Sequence, residues 1–104
     1  MQLKKHDAIL IHPSDNVAVA IKDLTKGQTV NVLGDSFHAE IVLTSDVAFG
    51  HKFAITAIRE KADIVKYGEI IGRASKDIGV GEHAHDHNIA GIRGKRSTAA
   101  MEES

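Results

Sequence analysis

Three histidines at spacing two are the sharpest chemical feature of this sequence. The stretch Gly81-Glu82-His83-Ala84-His85-Asp86-His87-Asn88 sets an imidazole at every second position. In an extended chain, alternate side chains share a face and lie about 6.6–6.8 Å apart along the strand. Neutral imidazole is a common ligand for zinc, iron, copper and nickel, so paired histidines on one edge can share one ion. The Asp86 carboxylate then points to the other face, or it orients an imidazole from behind the ligands. Glycines at 79 and 81 make the entry to this segment pliable. The competing reading is a solvated, histidine-rich surface loop.

A second constellation is Gly50-His51-Lys52. A glycine there lets the backbone approach an anionic ligand, with Lys52 as a point charge. The plainer reading is a turn into the strand that holds Phe53. In Lys66-Tyr67-Gly68, Tyr67 offers a hydrogen-bond donor, although a tyrosine beside a turn is commonly part of the packing. His6, His12 and His38 stand alone and read as structural or exposed. Asp15-Asn16 reads first as a cap and second as a ligand pair. No Ser-His-Asp arrangement, phosphate loop or carboxylate pair stands out. With no cysteine, the sequence carries no disulfide framework, thiolate metal site or cysteine nucleophile.

These groups need elements to hold them. Ala8 to Ile11 reads as a short buried strand closed by His12-Pro13. Ser14-Asp15-Asn16 offers helix-capping chemistry, Val17, Ile21 and Leu24 share a helical face, and Lys26-Gly27 supplies a stop. That spacing predicts one short helix. The alternative is a strand, because Val17, Val19 and Ile21 also alternate. Thr29–Leu33 and Phe37–Leu43 read as strands joined by a turn at Gly34-Asp35-Ser36. Lys52–Ile58 reads as a half-buried strand. Ile64-Val65 and Glu69–Gly72 flank a tight connection at Tyr67-Gly68, and Arg73 to Ile78 extends the last strand. Glycines punctuate pieces of the length expected in a small all-β domain. They follow no fixed period, so no internal repeat is expected.

Length bounds the rest. At 104 residues the chain is one domain. About 65% of its extended surface can be buried, enough for a thin core. Thirteen basic and fourteen acidic residues give a net charge of -1, and only 4% of residues are aromatic. That composition lacks both the field and the stacking surface of a nucleic-acid binder. The N-terminal apolar run is too short for a signal peptide or a membrane span, so the expected location is the cytoplasm. So small a chain has little room for an enclosed pocket, which directs attention to a partner chain or to self-association.

Four motifs occur in order: His12-Pro13 with Asp15-Asn16-Val17-Ala18-Val19-Ala20; Gly50-His51-Lys52-Phe53-Ala54; Lys66-Tyr67-Gly68-Glu69-Ile70-Ile71-Gly72; and Gly81 through Asn88. Each alone is weak, but together they closely resemble the N-terminal SAF-type domain of the altronate/galactarate dehydratase family, over residues 8 to 88. The histidine segment resembles the altronate branch, and the small subunits of sulfolactate sulfo-lyase, more than it does galactarate dehydratase. The resemblance implies a mostly β fold, a β-clip (SAF, antifreeze-like) domain with at most one or two short helices. It would occupy residues 1–92, ahead of a flexible tail at 93–104. The chain would be a free-standing small subunit or a fragment, its native-looking start favouring the subunit.

The implied reaction is β-elimination of water from a sugar acid to a 2-keto-3-deoxy acid. The implied cofactor is a divalent metal, Fe2+ or Mn2+, shared with a large catalytic subunit. His83, His85 and His51 become the expected catalytic residues, and His83, His85 and His87 the expected metal ligands. Lys52, Asn88 and Tyr67 become the expected substrate contacts. The isolated chain, alone or as a homo-oligomer, is expected to be inactive. Asp86 departs from the family pattern, where a small or neutral residue is expected, and this leaves the substrate open. The alternatives are the small subunit of a sulfolactate sulfo-lyase, and a non-catalytic binding or assembly module.

Overall fold

The computed structural model describes residues 6–91. The expected tail at 93–104 lies outside them. Nine strands form among the described residues: β1 (Ala8–Leu10), β2 (Val17–Ala20), β3 (Thr29–Gly34), β4 (Phe37–Val42), β5 (Lys52–Ala54), β6 (Asp63–Lys66), β7 (Glu69–Ala74), β8 (His83–Ala84) and β9 (Ile89–Gly91). They make a six-stranded sheet in the order β4-β3-β1-β2-β5-β8 and a three-stranded sheet in the order β6-β7-β9. Pairing is antiparallel except between β1 and β3. No helix among the described residues is long and apolar enough to cross a membrane.

The expected helix after Ser14 is absent, and β2 stands in its place. The capping side chains are committed elsewhere. Asp15 accepts the His12 amide through Oδ2 and the Gly68 amide through Oδ1. Asn16 donates to the Asp63 carbonyl at 2.9 Å and accepts the Val65 amide at 2.8 Å. Val17, Ala18 and Ala20 are all buried, because β2 lies between β1 and β5 and is covered on both faces. Small and β-branched residues satisfy that position, and two-sided burial outweighs a helical spacing of three residues.

Two apolar clusters share the β2–β5 pair as a wall. Ala18, Ala20 and Phe53 join Leu10, Val30, Val32, Ile41 and Leu43 in the first. Val17 and Ala54 join Ile58, Ile64, Ile78 and Ala84 in the second. Strand alternation explains the division, since neighbours on one strand face opposite sides. Several expected strands end early. Ile11 is exposed beyond β1, β5 stops at Ala54, and β7 stops at Ala74. Ile58 and Ile78 meet instead in an isolated antiparallel bridge. The β6–β7 turn has Tyr67 and Gly68 both at positive φ, 57° and 77°, the arrangement of a tight hairpin turn of type I′.

An internal repeat is present, contrary to expectation. Segments 21–30, 44–53, 55–64 and 75–84 share one turn that leads into a strand. Each begins with a bend and then carries a bridge residue: Leu24 pairs with Val47, and Ile58 with Ile78. Each then reaches a left-handed residue, Gly27, Gly50, Lys61 or Gly81. The following amide bonds back to the carbonyl three residues earlier, as in Gln28 to Thr25 and His51 to Ala48. Aspartates lock the turns in pairs. Asp46 accepts the Lys26 amide while Asp23 accepts the Phe49 amide, and Asp77 accepts the Glu60 amide. The second turn delivers His51 to the start of β5, and the fourth delivers His83 to β8.

Candidate metal centre

β5 and β8 pair antiparallel, with Lys52 opposite Ala84 and Phe53 opposite His83. One further step of that register sets His51 opposite His85. Their rings stack with centroids 4.0 Å apart and 8° between planes. His51 and His83 stack at 5.1 Å, and His51 Nδ1 lies 2.9 Å from His83 Nε2. His83 and His85 stack at 5.5 Å. All three rings are half-buried, and their candidate ligand nitrogens lie within 4.8 Å of one another.

The surroundings favour the neutral forms of two of these rings, His83 and His85. Burial pushes the His83 pKa below its ordinary 6.5, and His87, His51, His85 and Lys52 push it the same way by charge. His85 is likewise lowered by burial first, then by His51 and Lys52, with Asp86 partly opposing. The Lys52 ammonium is lowered by burial and by Lys66, again with Asp86 opposing. Neutral imidazoles keep their lone pairs, as metal ligation requires.

The trio fits a divalent ion on two counts. His85 Nδ1 is buried and has no hydrogen-bond partner. An orphaned buried ring nitrogen is costly, and a metal bond would relieve it. Ligands at 2.0–2.1 Å in a tetrahedral shell sit about 3.4 Å apart. The His51–His83 pair, hydrogen-bonded at 2.9 Å, would give up its shared proton and open slightly while His85 closes to complete the set.

The structure gathers His51 with His83 and His85 into one candidate ligand group, and His87 lies outside that group. β8 ends at Ala84 and the chain turns through Asp86 and His87, so the extended geometry that would align all three histidines is lost. His87 is exposed and stacks on His83 at 5.1 Å and 28°. Asn88, expected to contact substrate, is fully buried with its side chain bonded to the backbone of His83 and His85. Lys52 is half-buried at the start of β5. Tyr67 sits exposed at a hairpin tip, with Lys66 Nζ 4.6 Å from its ring centroid. That hairpin is docked on the His12 loop, where Gly68 lies against the His12 ring. His38 is exposed on β4, and neither it nor His6 belongs to the trio. Ser45 was not singled out from sequence. Its Oγ accepts the His83 amide at 3.2 Å, a role visible only once the second turn is folded.

Comparison with known proteins agrees with the four-motif resemblance. A family model for the altronate/galactarate dehydratase SAF domain matches residues 6–91. An altronate dehydratase of Bacillus subtilis (strain 168) is 46% identical over 80 residues, which cover 77% of this chain and 15% of that protein. An altronate dehydratase of Escherichia coli (strain K12) is 49% identical over the same shares of each. A (2R)-sulfolactate sulfo-lyase subunit alpha of Chromohalobacter salexigens is 29% identical, over 77% of this chain and 89% of that protein. The chain thus spans about 15% of the length of the altronate dehydratases it matches.

Proposed function

The chain belongs to the altronate/galactarate dehydratase SAF-domain family, and from that premise we propose that it is the SAF portion of an altronate-type sugar-acid dehydratase. It works with a larger catalytic region and, on this reading, in the cytoplasm. The observation that carries the reading is the convergence of His51, His83 and His85. The higher identity to altronate dehydratases than to the sulfo-lyase subunit supports altronate-type chemistry.

The reaction removes the C2 proton of the sugar acid and expels the C3 hydroxyl. The C–H electron pair becomes the C2–C3 double bond, the hydroxyl leaves with a proton as water, and the enol ketonises to a 2-keto-3-deoxy acid. His51, His83 and His85 would hold a divalent ion, Fe2+ or Mn2+ in this reading, which would supply Lewis-acid chemistry when bound. The three bring their ring nitrogens together at that position, with His83 and His85 favoured in the neutral form. Lys52 offers a positive charge to the carboxylate, and Tyr67 a hydroxyl donor at the hairpin tip. Proton transfer at C2 and C3 needs groups from the larger region as well. The isolated chain therefore turns over no substrate.

A second reading is a sulfo-lyase small subunit, which eliminates sulfite instead of water. It is favoured by one observation: the chain covers 89% of such a subunit. Co-expression with a large dehydratase-like chain, followed by assays on altronate, galactarate and sulfolactate, decides between them. Altronate turnover that falls with metal content in H51A, H83A and H85A supports the first. Unchanged turnover and metal content in all three variants would leave a binding module.

A further inference from the structure

Asn88 is fully buried, and a buried carboxamide is stable only when both of its ends find partners. Its Nδ2 donates to the His83 carbonyl at 2.8 Å, and its Oδ1 accepts the His85 amide at 2.9 Å. Its backbone amide donates to the His85 carbonyl at 3.1 Å, and its carbonyl accepts the Ser75 amide at 2.9 Å. The His83 amide is held by Ser45 Oγ. β8 is two residues long and lies at the edge of its sheet, so strand pairing restrains it from one side only. Asn88 supplies the restraint where that pairing ends.

We infer that Asn88 is the positioning residue of the metal centre. One side chain ties the peptide groups of two of the three ligands and sets both imidazoles against His51 before any ion arrives. Ser45 fixes the other end of His83. The inference rests on the reading of His51, His83 and His85 as metal ligands. Its energetic basis is preorganisation, since a ligand set already in place spends less of the metal's binding free energy on ordering the loop.

The test uses the full chain, Zn2+ alone as probe, and three variants. Asn16→Ala is the control. Asn16 also bridges two backbone groups through its amide, at Asp63 and Val65, but outside the trio. Calorimetric titration gives Zn2+ affinity, thermal melting confirms folding, and ring-proton contacts in NMR report His51–His85 proximity without metal. Expected for Asn88→Ala is a loss of affinity on the order of 10- to 100-fold, with the His51–His85 contact weakened in the metal-free protein. Ser45→Ala shows a smaller loss in the same direction, and it remains informative if Asn88→Ala fails to fold. Asn16→Ala lowers the melting temperature but keeps wild-type affinity and the ring contact. Folded Asn88→Ala with wild-type affinity and ring contact would overturn the inference, as would an equal affinity loss in Asn16→Ala. If Asn88→Ala does not fold, unchanged affinity and ring contact in Ser45→Ala overturn it. If the wild type binds no Zn2+, the metal reading fails, and the ring contact still decides whether Asn88 positions the histidines.

Discussion

The imidazoles of His51 and His85 lie face to face, 4.0 Å apart and 8° from parallel. Stacked rings this close resist a second positive charge, and His83 and His85 are both lowered below 6.5. The unfolded chain takes up protons at these histidines as pH falls through about 6.5. The folded chain takes them up only at lower pH. Their contribution to stability is therefore full above the unfolded value and is lost as pH falls through the folded values. Melts of the metal-free protein are expected to show a lower Tm at pH 5.5 than at pH 7.5. Zn2+ titrations should weaken in the same direction, because protons compete for the same nitrogens. A Tm that rises toward pH 5.5 would contradict this.

Exchanging one histidine for another in the ligand set gives a sharp contrast. His51→Ala removes a trio nitrogen and is expected to weaken Zn2+ binding by roughly 100-fold, at the upper end of losses seen even for groups behind the ligands. His87→Ala leaves the trio intact and should change affinity by less than about threefold. It also removes a charge that holds His83 low, so the His83 pKa rises. Calorimetry on both variants, with NMR titration of His83, checks the pair.

Gly81 and Gly50 occupy matching places in two turns but differ in surroundings. Both have positive φ, 83° and 84°. A Cβ on Gly50 meets nothing within 4 Å, whereas one on Gly81 would run into the Val42 carbonyl. Gly50→Ala is expected to cost about 1 kcal/mol from backbone strain alone. Gly81→Ala adds a backbone collision and should cost roughly 3 kcal/mol or more. Urea denaturation measures both.

The third turn departs from its siblings twice. Ala57 stands where the others carry Asp23, Asp46 and Asp77, and Lys61 stands where they carry glycine at positive φ. Ala57→Asp restores an acceptor for the Val80 amide, matching the bond from Glu60 to Asp77. It should stabilise by about 0.5–1 kcal/mol. Lys61→Gly relieves a left-handed lysine and should gain about 1 kcal/mol. Their effects on the denaturation midpoint should be separately visible.

Much of the site was legible from residue types, and its final membership was not. The spacing of His83 and His85 marks them as a candidate ligand pair, and Gly50-His51-Lys52 stands out as a second cluster. What joined them was the β5–β8 register, a long-range pairing that no local pattern encodes. His87 falls outside the trio because alternation holds only while the chain stays extended, and the chain turns after Ala84. The helix expected after Ser14 does not form because the Asp15 and Asn16 side chains accept amides of His12 and of a distant hairpin, and no amides of the segment that follows them. The repeated turn escaped notice because its copies are unevenly spaced. Each copy keeps only a bridge residue and a left-handed residue, and three of the four keep the aspartate.

The β5–β8 pairing also has a kinetic consequence. The β3–β4 and β6–β7 hairpins close over two-residue turns, but His51 and His83 are 32 positions apart in the chain. Contacts of that separation form only after a large loss of chain freedom, and they come late when local hairpins are available. A metal-sensitive signal from the trio in stopped-flow refolding would therefore rise with the final cooperative phase. The site then reports completion of the fold, and nascent or misassembled chains would not display it.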